Sequence, residues 1–108
     1  MAADGRDRPG VVSRWLPRKR QPVAPPADHE VTVVTRAGCH LCETAEADVT
    51  AMAAELGFRV SVRDLDSGFD AADRARWADL VPVLLVDGVE HGFWRVEPER
   101  LRAAVGAR

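Results

Sequence analysis

The stretch VTVVTRAGCHLC, residues 31–42, decides how the rest of the chain is read. Val31, Thr32, Val33, Val34 and Thr35 are β-branched without interruption, as in a largely buried strand. Arg36-Ala37-Gly38 breaks the run. From Leu41 onward, Leu41, Ala45, Val49, Met52, Ala53 and Leu56 recur at helical spacing, and Gly57 stands where a helix commonly ends. A strand, a turn and a helix are therefore predicted. Cys39 falls at the turn and Cys42 lies one turn inside the helix, and these are the chain's two cysteines.

Working outward, Phe58-Arg59-Val60-Ser61-Val62-Arg63 alternates apolar and polar residues and predicts a strand with one covered face. Asp64 to Gly68 reads as a loop. Asp70, with Asp73 three residues later, opens a second helix, with Ala72, Trp77 and Leu80 as its inward residues. After Val81-Pro82 comes a short apolar strand, Val83 to Val86. Asp87-Gly88 is a strong two-residue hairpin signal, and Val89 to Phe93 returns. Pro98 suits the first turn of a last helix that buries Leu101 and Val105. The order β-α-β-α-β-β-α predicts an α/β fold, with a parallel pair joined by a right-handed crossover and a later antiparallel hairpin. The expected result is a four-stranded mixed sheet flanked by three helices.

A chain of 108 residues suits one domain, here residues 30–108. Residues 1–29 lack periodicity, hold five prolines and carry six Lys/Arg against three Asp, and they read as a disordered or loosely docked arm. Within it, Val11, Val12, Trp15 and Leu16 form a short apolar patch beside a basic run. Residues 30–108 carry nine Arg against fourteen acids, so the folded part is acidic and no nucleic-acid partner is expected. No apolar run reaches membrane-spanning length, and the N-terminus lacks the apolar region of a secretory signal. A cytoplasmic monomer is the expectation, and in that compartment a disulfide is more often catalytic than structural.

The spacing of the cysteines carries chemistry. Residues three apart on a helix are neighbours, so the two sulfurs can meet. Cys39 should lie beside the unpaired N–H groups of the helix start, where an anion is favoured, and its thiol should be more acidic than a free one near ~8.5. Arg36, three residues earlier, adds positive charge. Cys42 should be more buried and less acidic. That inequality predicts that Cys39 attacks a disulfide and that Cys42 resolves the adduct. His40 is either a tuning group or an exposed spacer, and Glu43 and Glu46 are either proton acceptors or a solvated face. A structural zinc normally takes four protein ligands, which this pair does not supply, so no metal is expected.

With these residues in view, the chain resembles the glutaredoxins of the thioredoxin superfamily, in particular the short glutaredoxin-like proteins of bacteria. The resemblance covers about residues 30–106 and rests on VTVVTRAGCHLC, the element order, LVPVLLVDG and EHGFW. It implies a cis proline at Val81-Pro82 facing the cysteines, with the Val81 backbone pairing to an extended substrate. It also implies Cys39 and Cys42 as the catalytic pair, and Arg36, Val81, Pro82 and Gly92 at the substrate. The partners implied are a disulfide-containing protein or small-thiol substrate and a reductant, either a low-molecular-weight thiol or a reductase. No cofactor is expected beyond the thiol pair. The chain departs from glutathione-using members after Gly92, where Phe93-Trp94-Arg95 replaces a second glycine and an acidic cluster.

Two other readings share part of the pattern. A soft-metal carrier for copper also sets a Cys-x-x-Cys between a first strand and a helix. It has no use for Val-Pro opposite the thiols or for the later hairpin, and it usually has a Met before the first cysteine. An iron–sulfur cluster shared by two protomers, as in some glutaredoxins, is the other.

Overall fold

The computed structural model describes residues 25–106. After a 3₁₀ turn at Pro26–Asp28 come β1 (Glu30–Thr35), α1 (His40–Leu56), β2 (Arg59–Asp64), α2 (Leu65–Gly68) and α3 (Ala71–Trp77). Then follow β3 (Val83–Val86), β4 (Val89–Phe93) and α4 (Pro98–Ala104). The four strands form one sheet in the order β2-β1-β3-β4. β1 and β2 run parallel, while β1–β3 and β3–β4 are antiparallel. This is the mixed α/β sheet that the element order predicts.

β1 is central and Val31, Val33 and Val34 are wholly buried, which accounts for its unbroken β-branched composition. Alternation sends its side chains to two cores. On one face Val31, Val33 and Leu84 pack with Ala45, Val49 and Met52 of α1 and with Phe58, Leu101 and Val105. On the other, Val34, Val83 and Leu85 pack with Leu65 and Trp77. Thr32, the buried polar residue of β1, has its hydroxyl 2.8 Å from that of Ser61 on β2. Local chemistry closes the elements. Gly57 ends α1 at φ 97, where a side chain would be strained, and donates to the Ala53 carbonyl at 2.7 Å. The Asp70 carboxylate caps α3 by accepting from the Asp73 amide at 2.9 Å.

Several expectations are corrected. Asp64 to Gly68 is not a loop: β2 runs through Asp64, whose carboxylate accepts from the Asp66 amide and caps the short helix α2. That turn sinks Leu65 completely into the second core. The buried stripe of α1 begins at Cys42, and Leu41 is 56% exposed, because it lies about 100° around the helix from Cys42. In α3 Ala72 is exposed. Phe69 takes the inward place, edge-on to Trp77 with ring centres 5.4 Å apart. β2 is an edge strand whose cover reaches Phe58 and Val60 but leaves Val62 exposed. The apolar patch at Val11, Val12, Trp15 and Leu16 lies outside the described residues.

Candidate redox site

β1 ends at Thr35, and a three-residue turn with Gly38 at φ 76 leads into α1. Cys39 is the N-cap of that 17-residue helix. Its Sγ accepts a hydrogen bond from the Cys42 amide at 3.0 Å, occupying one of the donors that a helix start leaves unpaired. Cys39 and Cys42 form a disulfide with their Cα atoms 5.2 Å apart, within the span such bonds favour. Cys42 is buried at 3% exposure, whereas Cys39 is partly exposed. The two sulfurs are therefore unequal in access: one can be approached from solvent, and the other is shielded behind it.

The sheet brings a second segment to the same end. β1 and β3 are antiparallel with Val34 opposite Val83, so the end of β1 and the start of β3 adjoin. Pro82, fully buried, precedes β3, and the Val81–Pro82 bond is cis. Among the described residues, neither the Val81 amide nor its carbonyl takes part in a backbone hydrogen bond. β4 ends here too, with Phe93 opposite Val83. Phe93 and Trp94 meet edge-to-face at 5.1 Å, and both are substantially exposed.

Arg36 sits in the turn before Cys39, but its guanidinium is already engaged. Nε and Nη2 donate to the Asp66 carboxylate at 3.1 and 3.2 Å, and Nη1 donates to the Ala78 carbonyl at 3.4 Å. It links the cysteine turn to α2 and to the segment leading into Pro82. Its spacing to Cys39 could not show this, because Asp66 lies 30 residues away.

Gly92 stands opposite Leu84 on β4, next to a register irregularity that leaves His91 as an extra residue. A Cβ at Gly92 would meet the Arg100 guanidinium at 3.6 Å, an ordinary contact, so packing alone does not demand glycine. Gly92 lines a 590 Å³ cleft with His91, Trp94, Glu97 and Arg100. Burial there lowers the pKa of His91, and the charge of Arg100 adds to the effect. His40 points to solvent, with Nδ1 3.8 Å from the Glu43 carboxylate. Glu43 and Glu46 are exposed on the outer face of α1. Sequence reasoning missed Asp66, Ala78 and Asp79 as backing of this end. Their contacts are long-range, and two of the three act through backbone carbonyls.

Among the described residues, no helix is long and apolar enough to cross a membrane. Comparison with known proteins agrees with the geometry. Residues 30–106 match the model of the glutaredoxin-like domain (DUF836) family. The uncharacterized protein Rv0508 of Mycobacterium tuberculosis is 37% identical over 79 residues, covering 70% of this chain and 81% of its own length. The uncharacterized protein Mb0520 of Mycobacterium bovis matches equally well. The solution NMR structure of protein Ne2328 from Nitrosomonas europaea superimposes with a TM-score of 0.62 at 25% identity, over 77% of this chain and 94% of that one. The four-stranded mixed sheet, the cysteine pair at the head of its first long helix and this family match lead to one conclusion: the chain belongs to the glutaredoxin-like domain family, within the thioredoxin superfamily.

Proposed function

We propose that the protein is a small thiol-disulfide oxidoreductase, working in the cytoplasm as a monomer and reducing protein or low-molecular-weight disulfides through Cys39 and Cys42. The observation that carries the reading is the hydrogen bond from the Cys42 amide to the Cys39 sulfur at the helix start. In the reduced protein the same donor, together with the positive end of α1, favours the Cys39 thiolate over the thiol.

The cycle balances. The Cys39 thiolate attacks one sulfur of the substrate disulfide, forming a mixed disulfide and expelling the other substrate sulfur as a thiolate. Cys42, losing its proton, attacks the Cys39 sulfur and releases the second substrate thiolate. The substrate gains two electrons and the pair becomes the Cys39–Cys42 disulfide. A low-molecular-weight thiol or a reductase returns two electrons to the pair. The low pKa of Cys39 favours the first step, because more of it is present as the attacking thiolate near neutral pH. The Val81 backbone, without a backbone hydrogen bond among the described residues and beside Pro82 at the same end, offers an extended substrate one donor and one acceptor. The Phe93-Trp94 replacement after Gly92 favours a disulfide substrate other than one held through glutathione.

The test is single-turnover reduction of a disulfide by the pre-reduced protein. Cys39→Ser is expected to abolish it, and Cys42→Ser to stop at a covalent Cys39 adduct detectable by mass. Normal turnover by Cys39→Ser would overturn the assignment of the nucleophile, and loss of the adduct in Cys42→Ser would exchange the two roles.

A further inference from the structure

Trp94 occupies a conformation its side chain does not favour. Its φ is 72, in the left-handed region, where a bulky residue is an outlier. Burial does not explain this, since the residue is 52% exposed. Such conformations persist where the surroundings over-determine them, and two hydrogen bonds do so here. The Trp94 amide donates to the Pro82 carbonyl at 2.8 Å, and the indole Nε1 donates to the Asp79 carbonyl at 3.1 Å. Both acceptors belong to the segment 78–82 that presents Val81. From the other side Arg36, anchored on Asp66, donates to the Ala78 carbonyl. Three carbonyls of that segment are thus gripped from outside, while the Val81 amide and carbonyl stay out of every backbone hydrogen bond among the described residues.

We infer that Trp94 is a positioning residue that, with Arg36 as the opposite clamp, fixes the Val81 backbone beside Cys39 and so sets the affinity for extended peptide disulfides. The inference rests on the redox reading above. Trp94 acts through Asp79 and Pro82 rather than on the sulfur. Its loss therefore weakens binding of a substrate that uses the Val81 backbone and spares one that has no backbone to offer.

The experiment mixes the full-length, pre-reduced protein with excess of either a peptide disulfide or bis(2-hydroxyethyl) disulfide and follows oxidation of the Cys39–Cys42 pair. Trp94→Phe keeps an aromatic ring and removes the indole donor. It is expected to raise the half-saturating peptide concentration about fivefold, the equilibrium effect of one net hydrogen bond. The maximal rate, and the rate with bis(2-hydroxyethyl) disulfide, should stay within about twofold of wild type. Trp94→Gly, which suits the backbone but lacks the indole, should shift peptide affinity at least as far. Unchanged peptide affinity in both variants, or equal slowing with both disulfides, would overturn the inference while leaving the redox reading intact. Failure of the wild-type dithiol to reduce either disulfide would overturn the redox reading and the inference with it.

Discussion

The two ends of the sheet solve the same backbone problem in different ways. At the hairpin end, Asp87 has φ 53 and Gly88 φ 84, the pair of positive values that a two-residue turn between twisted strands requires. Aspartate tolerates that conformation, and its carboxylate is well used: it accepts from the Glu30 amide at 2.9 Å and lies 2.6 Å from the His29 ring. At the redox end, Trp94 adopts φ 72 with no such local preference, at a cost of roughly 1–2 kcal/mol. One end shows agreement between residue and backbone. The other shows conflict, held in place by contacts to the segment beside the cysteines. Conflicts of this kind are where a fold departs from local preference for the sake of a site.

The contrast can be broken from either side. The largest expected effect is on the redox end's support. Leu65→Ala removes a wholly buried side chain from the core that carries α2 and should lower unfolding free energy by about 2–5 kcal/mol in denaturant melts. Because Asp66 is next in sequence and anchors Arg36, peptide-disulfide affinity should fall as well. At the hairpin end, Asp87→Asn should cost less than about 1 kcal/mol, the usual range for an exposed pair, and should leave disulfide reduction unchanged. The hydrogen bond from the Glu30 amide, then that with His29, holds the Asp87 pKa below its ordinary 3.8. A depressed carboxyl stabilises the fold above the unfolded value and loses that contribution as pH falls through the folded one. The difference between wild type and Asp87→Asn should therefore be full near neutrality, begin to shrink as pH falls to the ordinary 3.8, and be lost only below the lowered folded value.

A smaller effect is expected from His91, whose pKa burial lowers from 6.5. Below that pH the unfolded chain binds the proton more readily, so wild-type stability should slope downward with acidification. His91→Gln should flatten the slope, as thermal melts across that pH range would show. The smallest change in stability belongs to Arg36→Leu, because the Arg36–Asp66 pair is largely exposed and should be worth well under about 1 kcal/mol. Its effect should appear instead as weaker peptide-disulfide binding, which sharpens the contrast between the hairpin end and the cysteine end.

What the residues alone disclosed follows the same division. β1, the hairpin and the cap at Gly57 were legible because composition, turn chemistry and backbone agree there. Cys39 at the helix start was legible from the break at Arg36-Ala37-Gly38. α2 was not, because four residues are too few to show a helical period, and Leu65 looked like one apolar residue in a loop. Leu41 and Ala72 were misplaced because an apolar residue near a stripe need not lie on it. The engagement of Arg36 with Asp66, and of Trp94 with Asp79 and Pro82, joins residues far apart in sequence through side chain and carbonyl alike. Neither leaves a periodic trace, and the positive φ of a tryptophan has no compositional signal at all.

The most direct measurement is the pH dependence of Cys39 alkylation by iodoacetamide in the reduced Cys42→Ser protein, read by peptide mass. With its sulfur at the head of α1, Cys39 should react with a midpoint well below the free-thiol value near ~8.5. A midpoint at or above that value would contradict the claim that the helix start stabilises its thiolate.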